Sequence, residues 1–228
     1  MIFGVSRWFY LISFLLALLF VFVPQIDLAV SGLFYSEAEG FFWSKHPLVI
    51  FLYNIPRPIV IVAAVGLLIL IADMLFRKRF FSIRPLLLFY FAAVMVVGPG
   101  VIVHNVFKDQ WGRARPSKVV EFGGTHTFTP AFILSDQCER NCSFVSGHSA
   151  GAYGLIALAL LVRRRKALAM AGAITVGSLV GLGRIIQGGH FFSDVLFSFV
   201  IVYLSAKILY HFTFEKGTFD IIDRRSVS

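Results

Sequence analysis

The sequence predicts an all-α polytopic membrane protein, a six-transmembrane-helix bundle carrying a small cap on its outer face. Three observations predict it. Of the 228 residues 58% are hydrophobic, with a mean hydropathy of +0.82, too apolar for a soluble domain. The apolar runs approach the roughly 20 residues that cross a hydrocarbon core. The net charge of +9 is gathered into short basic clusters between those runs, not spread as a patch with interleaved aromatics, which argues against nucleic acid as a partner.

Hydropathy places the spans at 8 to 23, 48 to 74, 85 to 107, 147 to 162, 167 to 187 and 191 to 212. Arg7 and the run Trp8 to Val23 look like a signal peptide, but no small-residue cleavage site follows, so the run reads as an uncleaved first span. Pro24 to Pro47 mixes Asp27, Glu37 and Glu39 with Phe41, Phe42 and Trp43, a composition suited to a short excursion along the interface. The next turn carries Arg77, Lys78, Arg79 and Arg84, the turn at 163 to 166 is Arg-Arg-Arg-Lys, and Arg224 and Arg225 lie at the tail. These clusters mark the cytoplasmic side.

The fourth span is short for a crossing, and a re-entrant segment is the alternative. Crossing keeps the Arg-Arg-Arg-Lys turn cytoplasmic and puts Arg184 on the same side as the long loop that precedes this span. Six crossings leave both termini cytoplasmic, with the 24 to 47 loop, the 108 to 146 loop and the Gly188-Gly189 break facing outward. No internal repeat or linker divides the chain, so residues 1–228 read as one membrane domain in which the loop 108–146 forms the cap.

That loop is too long for an ordinary connection, and Trp111, Phe122, Phe128, Pro130 and Phe132 give it apolar surface to pack with. It also holds the chain's two cysteines, Cys138 and Cys142. On an outer face they read as a disulfide, with two free thiols as the alternative; closing so small a ring stabilises by about 2 kcal/mol. A zinc site built from these sulfurs and His126 would need a fourth ligand.

Three clusters carry chemistry. The first is Lys108-Asp-Gln-Trp-Gly-Arg-Ala-Arg115-Pro116, whose cations could equally snorkel, complement a helix dipole or stay solvated. The second is Ser146-Gly147-His148, where Ser146 is a helix N-cap and the same N-terminus presents free N–H groups to an anion. The third runs from Arg184 to Asp194. The Gly188-Gly189 pair ends one apolar segment, and His190 and Asp194 then fall at i and i+4, on one face, so that a carboxylate can hold an imidazole whose other nitrogen attacks. Arg184 offers a planar donor fork to an anion. A lone membrane histidine is more often a packing residue, but two histidines, an aspartate and three basic residues at adjacent helix ends have the parts for phosphoryl transfer. No carboxylate cluster suggests a magnesium site, so neither metal nor other cofactor is expected.

The spacing Lys108, six residues, Arg115-Pro116, then Ser146-Gly147-His148, then Arg184, five residues, His190, three residues, Asp194 resembles the three signature motifs of the type 2 phosphatidic acid phosphatase superfamily. The match runs from Lys108 to Asp194, and the six-span layout is similar to that of the family's bacterial integral membrane members. Val145 stands where the family usually has Pro, and Gly183 where it often has Ser. The resemblance implies a double displacement. His190, oriented by Asp194, attacks phosphorus; His148 protonates the departing lipid oxygen and then activates water; Lys108, Arg115, Arg184, Ser146 and Gly147 hold the phosphoryl oxygens.

It implies as partner a membrane lipid phosphate, entering sideways from a bacterial inner membrane into a site that faces the periplasm. Lipid A, undecaprenyl pyrophosphate, phosphatidylglycerol phosphate and phosphatidic acid all fit. The outer loop, from Phe-Gly-Gly through Phe-Thr-Pro to Cys-x-x-x-Cys-Ser-Phe, is similar to that of some bacterial lipid A phosphatases, which tilts the expectation toward lipid A. Rival readings are a lipid-to-lipid phosphotransferase, a transporter and a silent lipid-binding scaffold. No obligate protein partner is inferred. Two residues stand outside the motifs: Arg57, between Pro56 and Pro58, reads either as a contact to a second phosphate or sugar or as a cation paired with a freed carbonyl, and His104 reads as packing.

Overall fold

The computed structural model describes residues 1–76 and 85–216. The basic turn from Arg77 to Arg84 and the tail arginines Arg224 and Arg225 lie outside them.

Helix α1 (Arg7–Phe22) opens on Ser6, whose hydroxyl accepts a hydrogen bond from the Trp8 N–H. Pro24 supplies no N–H to prolong it, and the chain turns through 81° into α2 (Gln25–Gly32). The predicted excursion from 24 to 47 is therefore a helix followed by a hairpin of β1 (Tyr35–Ser36) and β2 (Gly40–Phe41), with Tyr35 opposite Phe41. Helices α3 (Pro47–Asn54) and α4 (Pro56–Phe76) continue one another. Helix α5 (Pro85–Met95) runs on as a π-helix, Val96–Lys108, that contains Pro99. A proline lacks the N–H and crowds the carbonyl one turn back, and a wider winding accommodates it. The remaining helices are α6 (Gly147–Tyr153), α7 (Leu155–Leu161), α8 (Lys166–Ile186) and α9 (Phe192–Tyr210), the last extended by a π-helical turn, His211–Glu215.

Among the described residues four helical runs are long and apolar enough to cross a bilayer: Pro47–Asp73, Pro85–Lys108, Lys166–Ile186 and Phe192–Glu215. The bent α1 and α2 pair makes a fifth if it counts as one span. Length alone thus falls short of the six spans expected, because the first run is bent and Gly147–Leu161, apolar as it is, is shorter than a span. That brevity has a packing reason. Ala150, Ala152, Tyr153, Ile156, Ala157 and Leu160 are all buried, and α6 lies against α4, α8, α9 and the π-helix. A helix walled in by its neighbours meets protein along its length, where lipid would demand a full apolar span.

The main core joins these helices through Tyr90, Phe144, Tyr153, Ile156 and Phe197, with Trp111 and Phe132 of the long loop packed onto it. A second cluster sits at the outer end, where Ala114, Val119, Phe122 and Phe191 pack with Leu28, Tyr35, Phe41 and Phe128. The cap is therefore larger than the loop 108–146 expected, since α2 and the hairpin contribute to it. Cys138 and Cys142 are joined by a disulfide, with Cα atoms 5.6 Å apart, at the margin of this cap.

Candidate active site

The break between α8 and α9 is built by two glycines. Gly188 has a φ of +62°, and a Cβ there would lie 2.5 Å from the Phe41 ring; a Cβ on Gly189 would lie 2.2 Å from an Arg184 nitrogen. The turn therefore folds tightly under the cap while the Arg184 guanidinium rests on bare backbone. Its last residue, His190, is fully buried.

His190 Nδ1 is 2.7 Å from the Ser143 carbonyl oxygen and 3.5 Å from Asp194 Oδ2. A carbonyl only accepts, so Nδ1 carries the proton and the lone pair sits on Nε2, which is buried without a hydrogen-bond partner. Asp194 was expected to orient the ring; a backbone carbonyl from the long loop holds it more closely, and Asp194 supports both. Burial pushes the His190 pKa down to about 3, the charges of Arg184 and Lys108 adding to the effect against the opposing bond to Asp194.

Asp194 is itself saturated. Its Oδ2 accepts from the Ser143 hydroxyl at 2.5 Å and the Phe191 N–H at 2.8 Å, and its Oδ1 accepts from Arg113 at 2.7 Å. Arg113 also donates to Asp27 at 2.8 Å, to the Thr129 carbonyl at 2.8 Å and to the Ser193 hydroxyl at 2.9 Å, with Phe191 beneath its guanidinium at 4.3 Å. Asp27 accepts in turn from the Ser193 N–H and hydroxyl. All three charged side chains are sealed from solvent. Sequence reasoning singled out neither Asp27 nor Arg113. An aspartate inside an apolar helix and a second arginine two residues before Arg115 were the available signals.

The opposite flank is different. Lys108 and Arg184 are buried and Arg115 is half-buried, yet none of the three has a carboxylate within ion-pair distance among the described residues. Arg115 donates to the Asn141 carbonyl at 2.7 Å. Arg184 bonds Gln187, lies 5.0 Å over the Tyr53 ring and leaves its Nε without a partner. Ser146 caps α6, its hydroxyl shared with Ser149 at 2.9 Å, while its own N–H donates to the Asp194 carbonyl at 3.1 Å. A Cβ on Gly147 would lie 3.2 Å from both Lys108 Nζ and His104 Nε2, so the start of α6 meets both groups. His148 stacks on Tyr53 with ring centroids 4.2 Å apart and feels the charges of Arg184, Lys108 and Arg115.

The structure thus brings Lys108, Arg115, Arg184, Gly147, His148 and His190 to one end of the bundle. It does not place Arg57 with a carbonyl partner: the side chain is exposed on α4, and it makes no hydrogen bond or ion pair among the described contacts. His104 is exposed beside Gly147, which corrects the expectation of packing. Among the described residues no three His, Cys, Asp or Glu side chains gather as metal ligands would.

Comparison with known proteins agrees with the motifs. The model of the PAP2 superfamily matches residues 86–218. A lipid A 4'-phosphatase of Francisella tularensis subsp. novicida is 35% identical over 208 residues, covering 90% of this chain and 94% of its own. A lipid A 4'-phosphatase of Rhizobium leguminosarum is 36% identical over 117 residues, 51% of this chain and 48% of its own, and that of Rhizobium etli is 36% identical over 102 residues, 44% and 40%. No solved structure matches the chain. The family match takes in every motif residue from Lys108 to Asp194 and the helices that present them, and the chain belongs to the PAP2 superfamily.

Proposed function

We propose that this lipid phosphatase removes a phosphate monoester from lipid A, through a phosphohistidine on His190, at the periplasmic face of a bacterial inner membrane. The observation that carries the reading is the field around His190: a partnerless Nε2 lies beside cations that, among the described residues, have no carboxylate within ion-pair distance. Such a pocket is complementary to a phosphoryl group, whose oxygens would take the bonds that Lys108, Arg115, Arg184 and the Gly147 N–H leave open, with the Ser146 hydroxyl joining them if it turns from Ser149.

In the first step the Nε2 lone pair forms the N–P bond as the P–O bond to the lipid breaks, and His148 gives its proton to the departing oxygen. In the second, His148 takes a proton from water, whose oxygen bonds phosphorus as the N–P bond breaks and inorganic phosphate leaves. The positive charge of Arg184, Lys108 and Arg115 falls on His148, and a bound phosphate would offset that charge. Asp194 supplies negative charge beside the phosphorylated ring. No step uses a metal.

Lateral entry is supported by an apolar groove of about 430 Å³ between α4, α5 with its π-helix, and α6, walled by Ala63, Met95 and Pro99 and ending at His104, Asn105 and Gly147. An acyl chain there would leave its phosphate at the start of α6. The lipid A assignment takes its support from the names of the relatives. The reading treats residues 1–228 as one domain, keeps both termini cytoplasmic and leaves Arg57 to meet a second phosphate or sugar of the same lipid.

The test is purified protein in detergent given lipid A, undecaprenyl pyrophosphate, phosphatidylglycerol phosphate and phosphatidic acid, with and without chelator. Release of inorganic phosphate from lipid A, insensitive to chelator and lost in His190→Ala, is expected. Turnover by His190→Ala above a trace sinks the nucleophile, and loss in chelator sinks the metal-free scheme.

A further inference from the structure

We infer that Arg113 and Asp27 are positioning residues for the His190 step, an ionic strut that ties the bent first helix pair to the nucleophile. The inference rests on the phosphohistidine reading above. Arg113 holds both groups that orient the ring. Its guanidinium bonds Asp194 Oδ1 at 2.7 Å, and its main-chain carbonyl accepts the Ser143 N–H at 2.8 Å, while Ser143 in turn gives its carbonyl to His190 Nδ1. Asp27 fixes the other edge of the guanidinium and also receives the Ser193 N–H and hydroxyl, so one carboxylate on α2 braces Arg113 and the first turn of α9 together.

Arg113 is not a substrate ligand. It is fully buried, and its nitrogens are committed to Thr129, Ser193, Asp194 and Asp27. Arg115, two residues on, keeps only one backbone bond and stays half-buried. The alternative duty is stability alone. Buried ion pairs are a costly way to hold a fold, because desolvation offsets most of the attraction, whereas their bonds fix direction sharply. Here the directions fixed are those of Asp194 and Ser143, the two neighbours of Nδ1. A shift of about 1 Å at such a point is worth about 100-fold in rate.

The variants are Arg113→Lys, Asp27→Asn and Ser193→Ala, compared with wild type and His190→Ala in detergent for thermal unfolding, kcat, KM and the rate of phosphoenzyme formation. Lysine keeps the charge but lacks the planar fork that meets Asp27, Asp194, Ser193 and Thr129 at once; asparagine keeps the shape of Asp27; alanine removes one hydroxyl and leaves the charges alone. Arg113→Lys is expected to lose about 100-fold and Asp27→Asn about 10-fold in kcat and in phosphorylation rate, with KM within about twofold of wild type. Ser193→Ala should lose about threefold with the same signature, and it decides the matter if the charged variants do not fold. Folded variants with wild-type kcat overturn the inference, as does a rise in KM at unchanged kcat, which would make the strut a binding element. If His190→Ala still turns over, the phosphohistidine reading fails; if it is dead while the three variants run at wild-type rate, only the strut fails.

Discussion

The two flanks of His190 use the same residue types to opposite ends. On the sealed flank Asp27, Arg113 and Asp194 alternate in sign, are fully buried and join through bonds of 2.7 and 2.8 Å. On the other, Lys108, Arg115 and Arg184 are three cations with no carboxylate within ion-pair distance among the described residues. Like charges in a medium of low dielectric repel by several kcal/mol unless an anion joins them. The sealed flank is complete in itself, whereas the other carries positive charge that the proposed phosphoryl group would complete. Arg113 and Arg115, two residues apart in one loop, belong to different flanks because α2 and α9 bring carboxylates to the first and none to the second.

The largest expected effect breaks the sealed flank. Arg113→Ala leaves two buried carboxylates facing each other, and should cost about 3–5 kcal/mol of stability, read as a large fall in unfolding temperature in detergent. On the open flank, Arg184→Ala and Lys108→Ala remove charges that repel their neighbours, so stability should hold while kcat/KM for phosphate release falls about 100- to 1,000-fold. The contrast collapses if Arg184→Ala destabilises the protein as much as Arg113→Ala does. A smaller effect lies at the cap margin. Replacing Cys138 and Cys142 by serine removes the bridge, which should lower stability by about 2 kcal/mol and leave KM within about twofold, since the closed ring is short and touches the open flank through main-chain groups only, the Asn141 carbonyl on Arg115 and the Cys142 N–H on the Lys108 carbonyl. A KM shift of tenfold would show that the bridge shapes the open flank.

The sequence named the cations of the open flank and, on the sealed flank, Asp194, but neither Asp27 nor Arg113, for a physical reason. Lys108, Ser146, His148, Arg184 and His190 stand at or near the ends of apolar runs, where a charged or cap-forming residue marks a boundary, and Arg115 was named only by its spacing from Lys108 in the motif. The Asp27–Arg113 bond joins positions 86 residues apart, and its partners differ in kind: one sits in an apolar helix that composition made an interfacial loop, the other in an irregular loop. The close partner of His190 Nδ1 is a main-chain oxygen, which no side-chain pattern announces. Fold class was readable because hydropathy reports it directly. The 81° bend after α1 was not, since it depends on what packs around it, whereas the brevity of the fourth apolar run showed in its length.

The mildest prediction concerns pH and asks whether water reaches the attacking nitrogen of His190 before turnover. A solvent-exposed histidine titrates near pH 6.5, so as a nucleophile it would lose about thirtyfold of its neutral form between high pH and pH 5. Burial lowers the His190 pKa to about 3, which keeps the ring neutral, with its Nε2 lone pair free, throughout pH 5 to 8. In His148→Ala, where a pyrophosphate donor needs no proton for its leaving group, the single-turnover rate of His190 phosphorylation should therefore stay within about twofold over that range, once the donor's own ionisation is subtracted. An acid limb centred near 6.5 would mean that Nε2 takes up a proton before attack, because Nδ1 already carries one in its bond to the Ser143 carbonyl. That outcome would require water to reach Nε2 in each cycle, while the bonds of Nδ1 to Ser143 and Asp194 stay closed.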